Sequence, residues 1–142
     1  MRSLFALILL AAPAHAWTFT PGAPCLLTHE TAAFQLKLTY DPIQPLYSIT
    51  VTLPDPWPDA DAFAMRFDGP QGRVIGTDQH QLSNGGRSLT VTDKGFGNVL
   101  NGLQFNHTAT AQSGDTAVTF PLDGAAEPVA AFRACEGVNL SS

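Results

Sequence analysis

Residues 33–53 read Ala33-Phe34-Gln35-Leu36-Lys37-Leu38-Thr39-Tyr40-Asp41-Pro42-Ile43-Gln44-Pro45-Leu46-Tyr47-Ser48-Ile49-Thr50-Val51-Thr52-Leu53. Apolar side chains recur at every second position: Phe34, Leu36, Leu38 and Tyr40, then Tyr47, Ile49, Val51 and Leu53. A period of two marks a strand with one buried face. Pro42 and Pro45 lack the N–H that a ladder needs, so Asp41 to Pro45 is a turn. The two runs therefore predict a hairpin or two adjacent antiparallel strands. Between the apolar positions stand Gln35, Lys37, Thr39, Ser48, Thr50 and Thr52, which suit the wet face of an antiparallel sheet.

The same pattern extends towards the C-terminus. Pro54-Asp55-Pro56-Trp57-Pro58-Asp59-Ala60-Asp61 cannot be a central strand and reads as a loop. Alternation resumes at 62–67 with Phe63, Met65 and Phe67, followed by a Gly-Pro turn. Short strands are predicted at 73–77 through Val74 and Ile75, and at 88–92 through Leu89 and Val91, after the Asn84-Gly85-Gly86 turn. Residues 93–102 are Gly-rich and irregular, with one helical turn expected over 98–101. Strands are then expected at 104–109 and 117–122, around Ser113-Gly114-Asp115. The last stretch, 125–134, is Ala-rich. Pro128 suits a first helical turn, Asp123 a cap, and Val129, Phe132 and Cys135 recur at helical spacing. A short helix is the reading there, with a final strand as the competing one. Some seven short strands with regular turn signals predict a mostly β, single-domain antiparallel β-sandwich, or a small barrel, with a short C-terminal helix.

The N-terminus differs. Arg2 precedes the unbroken apolar run 4–12, Pro13 ends it, and Ala14-His15-Ala16 places small residues at −3 and −1 of a cleavage point. Charge, short apolar run and small-x-small are the order of an export signal, and the run is too short to span a bilayer. Residues 1–16 are expected to be removed, leaving Trp17 first in a domain of residues 17–142. Losing Arg2 takes the 7 basic residues to 6 against 12 acidic ones, a balance of −6. No second long apolar run predicts a membrane span in the mature chain. The acidic balance argues against nucleic acid, whose phosphates need clustered Lys and Arg.

Two cysteines remain, Cys25 near the start of the mature chain and Cys135 near its end. In the periplasm or outside the cell such a pair is expected to be oxidised, closing nearly the whole domain. There is no C-x-x-C and no basic surrounding to activate a thiol.

Candidate sites are sparse. His29-Glu30, His80 and His107 show none of the close spacings of a metal helix, and no metal or other cofactor is expected. Asp55, Asp59 and Asp61 share a loop with Trp57 but lack the ligand ladder of a calcium loop. Trp57 has two readings: an exposed binding anchor, or a ring folded back over the open end of the core. Phe96 is a second aromatic residue in an irregular segment. Ser88 and Ser48 lie on strand patterns without a nucleophile elbow, so no catalytic residue is assigned. No phosphate loop occurs. Asn106-His107-Thr108 and Asn139-Leu140-Ser141 match the glycosylation acceptor.

Cys25-Leu26-Leu27-Thr28-His29, Leu38-Thr39-Tyr40-Asp41-Pro42 and Ala131-Phe132-Arg133-Ala134-Cys135 resemble small exported alphaproteobacterial proteins of unknown function. Phe120-Pro121-Leu122-Asp123-Gly124 running on to Cys135 is distantly similar to periplasmic proteins of the invasion-associated-locus-B type. That resemblance implies an envelope location and brings no catalytic residue. The expected function is a non-enzymatic binding or accessory protein of the periplasm or cell envelope, partnered by another envelope or secreted protein or by a small ligand. One alternative is a small hydrolase or metal-dependent enzyme built on His29, Glu30 or His80, which requires those side chains to converge. The other is a structural envelope protein.

Overall fold

A computed structural model describes the backbone of residues 17–140 and the side chains of 17–135. The leader expected at 1–16, with Ala14 and Ala16 of its cleavage point, lies outside the described residues. The chain enters at β1 (Thr18–Thr20) and returns as β2 (Cys25–Glu30), β3 (Gln35–Asp41) and β4 (Leu46–Thr52). It crosses to a second sheet for β5 (Phe63–Asp68) and β6 (Arg73–Thr77), and comes back for β7 (Gln81–Ser83) and β8 (Ser88–Asp93). Helix α1 (Gly97–Phe105) carries it over again to β9 (Thr108–Ser113) and β10 (Thr116–Pro121), and α2 (Ala126–Leu140) closes the fold. The larger sheet runs β1-β2-β3-β4-β8-β7 and the smaller β10-β9-β5-β6. Every pairing is antiparallel. The fold is mostly β, with two sheets packed face to face.

The hairpin of 33–53 is central. Leu36 pairs with Val51, Leu38 with Ile49 and Tyr40 with Tyr47, all on the inner face. They meet Phe63, Met65, Phe67, Ala109, Ala111 and Phe120 from the other sheet. The outer face carries cross-strand hydroxyl pairs: Thr39 with Ser48 at 2.6 Å, Thr50 with Thr90 at 2.9 Å and Thr52 with Ser88 at 2.8 Å. Such pairs add about 0.2–1 kcal/mol each to a sheet. They account for the Thr and Ser of the alternating pattern without any ligand.

Cys25 and Cys135 form a disulfide, their Cα atoms 6.5 Å apart and 110 positions apart in sequence. It fastens β2 to α2, which also buries Val129 and Phe132, with Ala125 buried just ahead of it. The C-terminal segment is therefore helical, and the strand alternative is discarded. Asp123 does not cap it: the Val129 N–H donates to the Ala125 carbonyl at 2.9 Å, which puts Ala125 at the N-cap.

Several elements depart from the sequence reading, among them β2, which was not one of the expected strands because adjacent Leu26 and Leu27 break its alternation. The three-residue β1 and β7 were not expected, because three residues are too few to show a period. Residues 104 and 105 belong to α1, and the strand expected at 104–109 begins at Thr108. Helix α1 contains Gly97, Asn98, Asn101 and Gly102, poor helix formers, so its stability comes from packing. Leu100 and Leu103 are buried, and Gly102 lies flat on the ring of Phe67. A Cβ at Gly102 would stand 2.6 Å from Phe67 Cγ and closer to Cδ2. Phe67 is itself wholly buried and has no room to retreat. Gly102→Ala gains about 1 kcal/mol of helix propensity but must push the ring or the helix aside, an overpacking cost of about 1–3 kcal/mol or more. The expected outcome in urea denaturation is net destabilisation, and a more stable variant would contradict this packing.

Asn106 ends α1. Its Nδ2 donates to the carbonyls of Gly102 at 3.1 Å and Gln71 at 3.0 Å, and its Oδ1 accepts the Gln71 N–H at 2.9 Å. One buried amide thus ties the helix end to the β5–β6 turn. Gly69 in that turn has φ +150°, and a Cβ there would lie 2.8 Å from the His107 nitrogen, so only glycine fits. In the Asn106-His107-Thr108 acceptor pattern the amide nitrogen is buried and engaged, so a glycan there could not coexist with these hydrogen bonds. Asn106→Leu is expected to cost about 2–4 kcal/mol, three hydrogen bonds at about 1 kcal/mol each plus stranded Gln71 groups. A denaturation midpoint unchanged by this substitution would refute the tie. The side chains of the second acceptor pattern lie outside the described residues.

Candidate functional site: a cleft between the sheet edges

The sheets do not close on the β6/β8 side. Strand β7 pairs with β8 only over Ser88, Leu89 and Thr90. Beyond that, Val91, Thr92 and Asp93 have no strand on the side of β8 away from β4 among the described residues. Across the gap runs β6, the free edge of the smaller sheet. One end of the gap is bounded by the β6–β7 crossover with Gln79, the other by residues 95–99. The result is a cleft of about 590 Å³, lined deeply by Ile49, Phe63, Met65 and Phe96 and at its walls by Ile75 and Val91. Its polar rim is Thr77, Gln79, Thr92, Asp93 and Asn98. That volume lies within the range of small-molecule pockets, about 300–1,000 Å³.

The strand period explains the lining. Ile75 is opposite Met65, and Val91 opposite Ile49, so all four point between the sheets. Phe96 is buried and stacks on Tyr47, with centroids 5.3 Å apart and planes 18° from parallel. Asp93 is the single charged residue in the lining; its Oδ1 accepts the Lys94 N–H at 2.7 Å. Arg73 Nη1 donates to Asn98 Oδ1 at 2.6 Å, bracing the first turn of α1 against β6.

The residues singled out in the sequence fall elsewhere. Trp57 is not an exposed anchor. It is 3% exposed, edge-on to Phe63 with centroids 6.2 Å apart, and its Nε1–H donates to the Val51 carbonyl at 3.0 Å. The proline-rich loop thus folds back and plugs one end of the core, while Asp55, Asp59 and Asp61 stay on the surface. No group of three metal-ligating side chains occurs among the described residues.

His29, Glu30 and His80 do not converge. His29 points into the core, stacked on Trp17 with centroids 4.4 Å apart, and adjacent Glu30 points to solvent on the opposite face. His80 precedes β7, which β3, β4 and β8 separate from β2. His80 Nε2 lies 3.1 Å from the Ala60 carbonyl, a contact that holds the proline-rich loop. The convergence that the hydrolase or metal-enzyme alternative required is not found among the described residues. Ser88 is engaged with Thr52, and Ser113 donates to the Ala62 carbonyl at 2.8 Å.

Phe96 was the one cleft residue that stood out in the sequence, as an aromatic residue in an irregular segment. Ile49, Met65, Ile75 and Val91 looked like ordinary core positions. Compared with protein-family models, curated proteins and solved structures, the chain matches none. No described helix is long and apolar enough to cross a membrane.

Proposed function

We propose that this chain is an exported, non-enzymatic binding protein of the periplasm or extracellular space, and that it seats a small ligand with an apolar body between its two sheets. The half-open cleft carries this reading. It combines apolar depth from Ile49, Met65 and Phe96 with a polar rim that can orient one end of a ligand. The single acid in its lining favours a neutral or cationic end. Export is supported by the order of residues 1–16 and by a disulfide, which persists in oxidising compartments. The envelope resemblance of the two chain ends points the same way.

A neutral naphthylamine dye tests the cleft. Its fluorescence should rise saturably with one dye per chain. Val91→Trp and Ile75→Trp, which fill the cleft from opposite walls, should each weaken binding at least tenfold. Val74→Trp, on the outer face of the same strand as Ile75, should leave it unchanged. Equal affinity in the plugged variants would overturn the reading. Export is checked by mass spectrometry of the protein made with its own N-terminus, where Trp17 is expected as the first residue. An intact N-terminus in a cytosolic fraction would remove the proposed compartment.

A further inference from the structure

The one charged residue among those lining the cleft is not placed like an ordinary surface acid. Leu89, Val91 and Asp93 alternate along β8 and stand opposite Val51, Ile49 and Tyr47, whose side chains are all buried in the core. Asp93 therefore occupies an inner-face position of the larger sheet, where the period of β8 calls for an apolar side chain. It stays solvated because the sheets have parted there: it is exposed, and it lines the cleft. The single ion pair among the described residues joins Arg66 to Asp68, so no described cation answers the Asp93 charge within salt-bridge distance. Its Oδ1 accepts the Lys94 N–H, but a carboxylate has about four lone-pair sites, and one bond leaves most of that capacity open.

The backbone beside it adds an acceptor. The Leu53 N–H donates to the Arg87 carbonyl at 3.0 Å, in register with the β4–β8 ladder. Bonding groups alternate along an antiparallel strand, so Arg87, Leu89, Val91 and Asp93 turn theirs to β4, and Ser88, Thr90 and Thr92 turn theirs to the other side. Ser88 and Thr90 meet Ser83 and Gln81 of β7 there. Thr92 meets no strand among the described residues, so its carbonyl faces the gap next to the Asp93 carboxylate. Across the gap, Thr77 of β6 pairs with buried Phe63, lies on the same inner face and brings a hydroxyl. The positive groups nearby are engaged or weaker. Arg73 Nη1 is bonded to Asn98 Oδ1, and neither Arg73 nor Lys94 belongs to the lining. The first turn of α1 brings about half a positive charge against the full negative charge of Asp93.

From this arrangement we infer that the cleft selects a ligand with a primary ammonium group, held at Asp93 and the Thr92 carbonyl, with its apolar body running in towards Met65 and Phe96. The inference deepens the reading of the cleft as a ligand seat and rests on it. An ammonium has three donors and no acceptor, which matches a mouth offering a carboxylate, a carbonyl and a hydroxyl. Because Asp93 is solvated, the selection is moderate in size and falls with salt.

Hexylamine, hexanol and hexanoate share a short apolar chain and differ in charge. Each is titrated at neutral pH and low salt into the disulfide-bonded protein, with the backbone amide shifts of residues 91–99 followed by NMR. Hexylamine, protonated under these conditions, should bind about five- to tenfold more tightly than hexanol, and hexanoate more weakly than both. The margin of amine over alcohol should shrink below about twofold in Asp93→Asn and at about 0.5 M salt. It should persist in Asp115→Asn, which removes an exposed acid from the β9–β10 turn. The same spectra show whether each variant is folded. Val91→Trp should weaken hexylamine and hexanol together, at least tenfold. Equal binding of hexylamine and hexanol to the wild type, tightest binding of hexanoate, or a margin that survives in folded Asp93→Asn would overturn the inference, and the cleft itself would stand as long as Val91→Trp weakens hexanol. Failure of all three probes to bind, or a Val91→Trp variant without effect, would overturn the inference and the cleft together.

Discussion

Replacing Cys25 and Cys135 together with Ala is expected to lower the unfolding free energy by about 4–5 kcal/mol, the loop-closure term for a crosslink spanning about 100 residues. For a domain of this size that is a large part of an ordinary total of about 5–15 kcal/mol. Position adds to the entropy. Both sulfurs are buried, and the bridge joins the first residue of β2 to α2, whose other buried apolar side chains among the described residues are Val129 and Phe132. Freed of the crosslink, the unfolded chain expands, so the denaturant slope should rise as the midpoint falls. Guanidinium titrations of wild type with and without reductant, and of the double variant, measure this. A loss below about 1 kcal/mol would show that α2 is held by packing alone and that the crosslink term is offset by strain.

Trp57→Ala should be nearly as damaging, at about 3–5 kcal/mol for a large aromatic removed from a core. The ring is buried against Phe63, and its Nε1–H satisfies the Val51 carbonyl on the central strand β4. Trp57→Phe separates the two contributions: it keeps most of the apolar area and drops the hydrogen bond, for an expected loss of about 1–3 kcal/mol. Asn substitutions at Asp55, Asp59 and Asp61, exposed in the same loop, should stay within about 0.5 kcal/mol of wild type. Equilibrium denaturation of the set tests the role of the loop. If Trp57→Ala were as stable as wild type, the ring would not be the plug of the core. Any loss of ligand binding by Trp57→Ala should track loss of folded protein, since Trp57 does not line the cleft.

How far the site was legible follows from what each residue depends on. The strands of the central hairpin are local: alternation of Leu36, Leu38, Ile49 and Val51 is enough to assign them, and the register then aligns the hydroxyls of Thr39 with Ser48. Helix α1 is not local. With Gly97 and Gly102 inside it, the segment has weak intrinsic preference for a helix, and it is held by burial of Leu100 and Leu103 and by the approach of Gly102 to Phe67. The cleft is less local still. Its residues come from β4, β5, β6, β8 and the segment before α1, and what makes them a site is that β7 stops short of Val91. A side chain at Val91 carries no mark in the chain of whether a neighbouring strand will cover it.

Residue order was sufficient for those properties that follow from period, backbone chemistry and composition: two-sided strands, proline- and glycine-marked turns, a helical C-terminus as the preferred reading, and a pair of thiols able to close the domain. Where the two sheets part and which way Trp57 turns depended on packing between segments far apart in the chain. Burial energy belongs to the surfaces that meet, and no short stretch of residues specifies the surface it will meet.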